Sequence, residues 1–172
     1  EVVGERSGIV NLGLEGVMRV SAAMGFAVTS ATGSPYLGIL TGMLAGGLMN
    51  LLFGYLVITR KANQLASGLA TMFLGFGLSA LIGAPYAGAK IGALPRYLVP
   101  GLELFPRQFT GQFRFDFLIY LAAPVAVGVW FLLFRTRWGL GLRAVGESAD
   151  TAFAAGRNPN KLRYQALFLA GL

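Results

Sequence analysis

Apolar residues in this chain come in long unbroken runs, not in alternating or once-per-turn patterns. Pro35 to Thr59 carries no charge, Ala62 to Ala84 carries none, and Phe117 to Phe134 is shorter and wholly uncharged. A run from about Gly13 to Thr32 is similar but holds Glu15 and Arg19, and a further run begins near Leu162. A membrane-crossing helix needs about 20 consecutive apolar residues. The pattern therefore predicts spans at about 13–32, 35–59, 62–84 and 117–134, with the start of a fifth at 162–172. Backbone groups inside hydrocarbon must be satisfied within their own segment, so helix is expected throughout. The expected fold class is all-α, a polytopic transmembrane helical bundle forming one domain over 1–172. The chain opens at Glu1 without a methionine and stops inside the apolar run Ala166 to Ala170. With no signal-peptide pattern at its start, it reads as an internal fragment of a longer polytopic protein.

Small residues recur at every fourth position of these runs. Gly38, Gly42, Gly46, Asn50 and Gly54 mark the second. Asn63, Ser67, Thr71, Gly75, Ser79 and Gly83 mark the third, and Ser21, Gly25, Thr29 and Gly33 the first. Such ridges let helix backbones approach closely, and their hydroxyls and amides can bond across helices. The glycines read first as packing positions. Asn50, Asn63, Ser67 and Thr71 also read as polar groups facing a pathway.

Composition narrows the chemistry. Only 12% of residues are charged, against about 25% in soluble domains, and the mean hydropathy is +0.65. With neither cysteine nor histidine, there is no disulfide framework, no Ser-His-Asp triad and no His/Cys zinc site. No catalytic residue and no metal ligand is expected. The net charge of +7 sits in the gaps between apolar runs, which is a membrane pattern and not that of a nucleic-acid binder.

Lys and Arg also indicate orientation. Arg6, the tight Arg60–Lys61 turn, and Arg135, Arg137, Arg143, Arg157, Lys161 and Arg163 fall on one side, expected to be cytoplasmic. The segment 85–115, with four prolines and Lys90, Arg96, Arg107 and Arg114, falls on the other. Within the first span, Glu15 and Arg19 have the i, i+4 spacing of a helical ion pair. Both are expected near the cytoplasmic end, where Arg19 snorkels to water. The preceding stretch Gly8-Ile9-Val10-Asn11-Leu12-Gly13 suggests a broken helix, a feature that lines solute sites in transporters. Asn11 and Glu15 therefore join the pathway candidates.

The connector 135–161 is the most informative polar segment. Ser148 can cap a short helix with Asp150 near its positive end, and Gly156 can end it. Few large apolar side chains make it a poor lipid anchor and better suited to a groove on a protein partner.

These residues resemble a known family. Glu5-Arg6-Ser7-Gly8-Ile9-Val10-Asn11-Leu12-Gly13-Leu14-Glu15-Gly16 is similar to a signature of simple-sugar and nucleoside ABC transporter permeases, a branch of the branched-chain amino acid/ribose permease superfamily. Asn63-Gln64-Leu65-Ala66-Ser67-Gly68-Leu69-Ala70 resembles a second block, and Arg143-Ala144-Val145-Gly146-Glu147 with Ala154-Ala155-Gly156 resembles its cytoplasmic coupling loop. Arg19 departs from the family's usual apolar residue. The resemblance implies a type II importer with two permease subunits, two cytoplasmic ABC ATPase subunits and an extracellular or periplasmic solute-binding protein. It places the chain in the bacterial plasma (inner) membrane as a multi-pass subunit. Arg143, Ala144, Gly146, Glu147, Asp150, Ala155 and Gly156 would contact the ATPase, and 85–115 would meet the binding protein. The chain would need no cofactor, ATP being hydrolysed on the partner, and it has no Gly-Lys-Ser/Thr phosphate loop.

An ATP-driven importer permease, for nucleosides first and simple sugars or branched-chain amino acids otherwise, is therefore the leading expectation. A secondary transporter would want paired intramembrane carboxylates, whereas Glu15 is the one acid in the spans. A scaffold without transport would need neither the broken helix nor the coupling-like loop. On the importer reading, bulk at Gly146 or Ala155 should uncouple ATP hydrolysis from transport with assembly intact.

Overall fold

The computed structural model describes residues 1–90, 96–98 and 114–172. Helices are α1 (Val2–Glu5), α2 (Leu14–Thr32), α3 (Pro35–Gly54), α4 (Gln64–Gly83), α5 (Phe117–Arg135), α6 (Arg137–Glu147), α7 (Ala149–Ala154) and α8 (Pro159–Gly171). Strands β1 (Arg96–Leu98) and β2 (Arg114–Asp116) form a short antiparallel ribbon pairing Tyr97 with Phe115. The protein is a helical bundle to which this ribbon adds one small feature. Among the described residues, three helical stretches are long and apolar enough to cross a membrane: Pro35–Thr59, Gln64–Tyr86 and Leu118–Arg135. Most of the 85–115 segment lies outside the described residues.

Local chemistry sets the helix boundaries. Gly33 closes α2 in the left-handed region at φ 71°, its N–H donating to the Thr29 carbonyl. Pro35, pre-set for the first turn, then starts α3. The lower end of α3 widens into a π-helical turn, Tyr55–Thr59, and Lys61 at φ 52° reverses the chain. The Ala62 N–H reaches back to the Leu56 carbonyl at 3.0 Å, closing the helix end as a Schellman motif does. The next helix, α4, begins on the Asn63 side chain, which accepts from the Ala66 N–H.

Small residues then decide how closely the helices meet. α2 runs antiparallel to α3: a Cβ on Gly42 would lie 2.9 Å from the Ser21 carbonyl oxygen, and one on Gly38 would strike the Thr29 hydroxyl. α2 runs parallel to α4, and a Cβ on Gly75 would lie 2.5 Å from the Gly16 Cα. α8 runs antiparallel to α3, with Gly171 against Gly46 and Leu167 against Gly54. The four-residue ridges of α2, α3 and α4 are thus backbone contact seams of the kind that drives helix association in lipid.

Two apolar clusters anchor the basic end. Val3, Leu133, Leu142, Val145, Ala152, Leu162 and Ala166 tie α1, α5, α6, α7 and α8 together. Ile9, Phe53, Ile58 and Leu167 join the segment after α1 to α3 and α8. By contrast, only 6% of the Leu118–Arg135 span is buried within the chain, leaving most of α5 to lipid or other helices.

Gly75→Val should force α2 and α4 apart at a cost of about 1–3 kcal/mol. Gly77, with nothing within 4 Å of an added Cβ, should accept Ala. Thermal melting of the detergent-solubilised transporter checks this; equal melting of the two variants would contradict the seam.

Candidate functional site

A break in the backbone lies between α1 and α2. Residues 7 to 13 are not helical, so their N–H and C=O groups need other partners. Gly8, at φ 81°, turns the chain, and Ser7 Oγ donates to the Gly4 carbonyl at 2.6 Å. Arg163 Nε of α8 donates to the Ser7 carbonyl at 3.2 Å. The Val10 N–H donates to Gln64 Oε1 at 3.1 Å, and the Gly13 N–H to Asn11 Oδ1 at 2.8 Å.

Asn50 completes this clamp. Asn11 Nδ2 donates to Asn50 Oδ1 at 2.6 Å, while Asn50 Nδ2 donates to the Leu167 carbonyl at 2.6 Å. One amide thereby links the break, α3 and α8. Asn50 is 1% exposed and Asn11 6%. Asn50 stands nine residues inside the Pro35–Thr59 span, about 14 Å from its end at the helical rise. The adjoining cavity, bounded by Ile9, Leu14 and Leu167, measures about 10 Å³, the lower limit for one water. Asn11 and Asn50 therefore tie the broken segment to α3 and α8, and the small cavity beside them holds at most a water.

The other pathway candidates divide. Ser67 and Thr71 are buried in the α2–α4 seam, where Thr71 Oγ1 donates to the Ser67 carbonyl. Asn63 is exposed and caps α4. Glu15 is exposed and pairs with Arg19 at 2.9 Å. The placement expected for Arg19 needs correction. Its guanidinium does not snorkel at the basic end but lies 4.2 Å from the centre of the Phe76 ring, well along α4. The parallel packing of α2 on α4 carries it there.

The connector forms two helices. α6, not anticipated as a helix, is capped by Thr136, whose Oγ1 accepts from the Gly139 N–H, and buries Leu142 and Val145. Trp138 Nε1 donates to Gln165 Oε1 of α8 at 2.9 Å. α7 is capped by Ser148, which accepts from the Thr151 N–H, and Gly156 follows at φ 79°. Arg143 stacks its guanidinium over Phe134 at 5.0 Å. Ala144, Glu147, Asp150, Ala155 and Gly156 are exposed, as is Phe153 at 69%. Gly146 faces the break: a Cβ there would strike the Arg6 carbonyl and lie 3.4 Å from the Gly8 nitrogen. Bulk at Gly146 would therefore disturb packing within the chain, contrary to the expectation of intact assembly. An open cleft of about 410 Å³ lies between Glu5–Arg6 and the Leu140–Glu147 face of α6.

Gln64 and Arg163, which serve the break, escaped the sequence reading. Gln64 lay inside a recognised block; nothing local marked Arg163, 156 residues from its partner.

Apolar helices on small-residue seams, with a broken segment clamped at membrane depth, define a multi-pass integral membrane protein. The chain belongs to the family described as branched-chain amino acid transport system / permease component, whose profile matches residues 2–172. It is 37% identical over 99% of its length to a candidate glucose ABC transporter permease, TsgC13, of Haloferax volcanii, covering 53% of that protein. It is 34% identical to the guanosine ABC transporter permease NupQ of Bacillus subtilis and 31% identical to the nucleoside ABC transporter permease NupC of Lactococcus lactis, over 99% of this chain and 57% of each relative. The chain thus spans about half the length of these curated relatives. No solved structure matches it.

Asn50→Ala and Asn11→Ala should each destabilise the transporter by about 1–3 kcal/mol, because each leaves a buried amide partner open. The double variant should cost clearly less than the sum. Melting of the four forms checks the cycle; strict additivity would rule out the clamp.

Proposed function

We propose that this chain is part of the transmembrane permease subunit of an ATP-driven importer for nucleosides. Family membership supports the permease role, and the guanosine and nucleoside names of two relatives support the solute. A simple-sugar importer is the second reading, favoured by the 37% identity to the glucose-named relative. ATP would be hydrolysed on separate cytoplasmic ATPase subunits, with a second permease subunit beside this one. A solute-binding protein would dock at the 85–115 side.

One observation carries the mechanism: the exposed helix α7 follows, across the single extended residue Ser148, a helix wedged against the break. Phe153, on a six-residue helix capped by Ser148, projects from the basic end. An exposed aromatic beside Asp150 suits a partner's pocket. α6 joins α7 through Ser148 and rests Gly146 on the Arg6 carbonyl. Movement of α7 on ATPase closure is thereby passed to the turn at Gly8, and from there to Asn11 and the start of α2. In this account Asn11, Asn50, Ser67 and Thr71 set the shape of the pathway wall. Asn63 and Glu15 stand at its surface, while Asp150, Ala155 and Gly156 form the ATPase-facing edge with Phe153.

Phe153→Asp and Ala155→Trp, made in the intact transporter, should lower nucleoside uptake about tenfold or more, with permease abundance in the membrane unchanged. Radiolabelled uptake and co-purification of the ATPase check this. Normal uptake in both variants would contradict the coupling role.

A further inference from the structure

The cleft between Glu5–Arg6 and α6 gathers charges that the chain does not pair internally. Arg6 and Arg143 line it together with Glu5 and Glu147, and among the described residues no ion pair engages any of them. Arg143 is half-buried. Its guanidinium lies over the Phe134 ring at 5.0 Å, and its Nε is buried without a hydrogen-bond partner among the described residues. A buried donor of this kind calls for an acceptor. Neighbouring residues fix the level of the cleft. The span Leu118–Arg135 ends just after Phe134, and Arg135 stacks over Trp130 at 5.7 Å. An aromatic and basic pair at the end of a span marks the headgroup layer. Leu140, 61% exposed, lines the same cleft. Phe134 also lines an apolar groove of about 450 Å³ between α1, α5 and α8.

We propose that this cleft binds the headgroup of phosphatidylethanolamine, with an acyl chain of the same lipid in the adjoining groove. Two guanidiniums and two carboxylates line the cleft, so their formal charges cancel, which suits a zwitterion. The phosphate accepts from the guanidiniums, and such charge-assisted bonds are strong and directional. An ammonium carries three donors and a carboxylate only accepts, so Glu5 and Glu147 take the other end of the headgroup. Phosphatidylcholine has no N–H to give them, and phosphatidylglycerol brings a negative charge with no cation for the carboxylates. The groove is apolar apart from Glu1, and it runs from Ala126 to Phe134, about 12 Å along α5. Its volume over that length gives a mean section of roughly 40 Å², about half that of a helix ~10 Å across. That section fits a hydrocarbon chain better than a further helix. The bound headgroup bridges Arg6 and Arg143 beside the place where Gly146 rests on the Arg6 carbonyl. It thereby holds α6 against the chain just ahead of the break. Lipid binding here does not depend on the importer reading.

The test uses the intact transporter in detergent, offered the dioleoyl forms of phosphatidylethanolamine, phosphatidylcholine and phosphatidylglycerol, with soluble phosphoethanolamine as competitor. Native mass spectrometry reads the lipid retained. The wild type should retain phosphatidylethanolamine about tenfold over either other lipid. Arg143→Gln should abolish that preference. Glu5→Gln combined with Glu147→Gln, both at exposed positions, should turn the preference toward phosphatidylglycerol, because the guanidiniums then face the phosphate without carboxylates beside them. Ala126→Trp, at an exposed position in the groove, should lower retention of phosphatidylethanolamine. Equal retention of the three lipids by the wild type would overturn the site, as would a preference that survives both Arg143→Gln and the paired Glu variant. Full competition by soluble phosphoethanolamine would overturn the lipid in favour of a free headgroup. A wild type retaining no lipid would overturn it too, the cleft then being closed by a protein surface.

Discussion

A helix that breaks inside a membrane must satisfy its open backbone groups without water. In this chain residues 7 to 13 form such a break, and Asn50 is the residue on which its solution depends. Its amide accepts from Asn11 and donates to the Leu167 carbonyl, so three elements distant in sequence meet at one side chain. Gln64 and Arg163 serve the remaining groups from α4 and α8. The helices that build the clamp are therefore also those that must pack closely, and the glycine seams of α2, α3 and α4 make that approach possible.

The same arrangement ties the break to the basic end. Gly146 lies on the Arg6 carbonyl beside Gly8, so α6 and the break form a continuous contact. α7 extends from α6 with little of its own surface buried. Leu142, Val145 and Ala152 also lock the connector to α5 and α8, so these helices are tied to the same body. On the proposed coupling role, this packing would pass a displacement of α7 to the break without a flexible linker.

Much of the helical framework could be read from charge-free runs, because twenty apolar residues are hard to place otherwise. The run at 35–59 became α3 plus its π turn, and that at 13–32 became α2. Three things escaped. α6 was missed because Gly139, Gly141 and Gly146 lower helix propensity, and only packing of Leu142 and Val145 offsets this. The depth of Arg19 was misplaced because an i, i+4 pair reports a helix face and says nothing of level. The Asn50–Leu167 link spans 117 residues, and no local pattern encodes it. Asn11 and Asn50 were legible as polar residues of consequence, yet whether they lined a path or clamped a break depended on what packed around them.

The central claim is that α7, α6 and the break move as one body during the transport cycle. Spin labels at Ala155, the residue that caps α7 at its C-terminus, at Leu12 in the break and at Leu81 on α4 would report it in the intact transporter, with and without a trapped nucleotide. The account predicts an unchanged distance from Ala155 to Leu12 and a changed distance from Ala155 to Leu81. A changed Ala155–Leu12 distance with Leu12 fixed relative to Leu81 would contradict it.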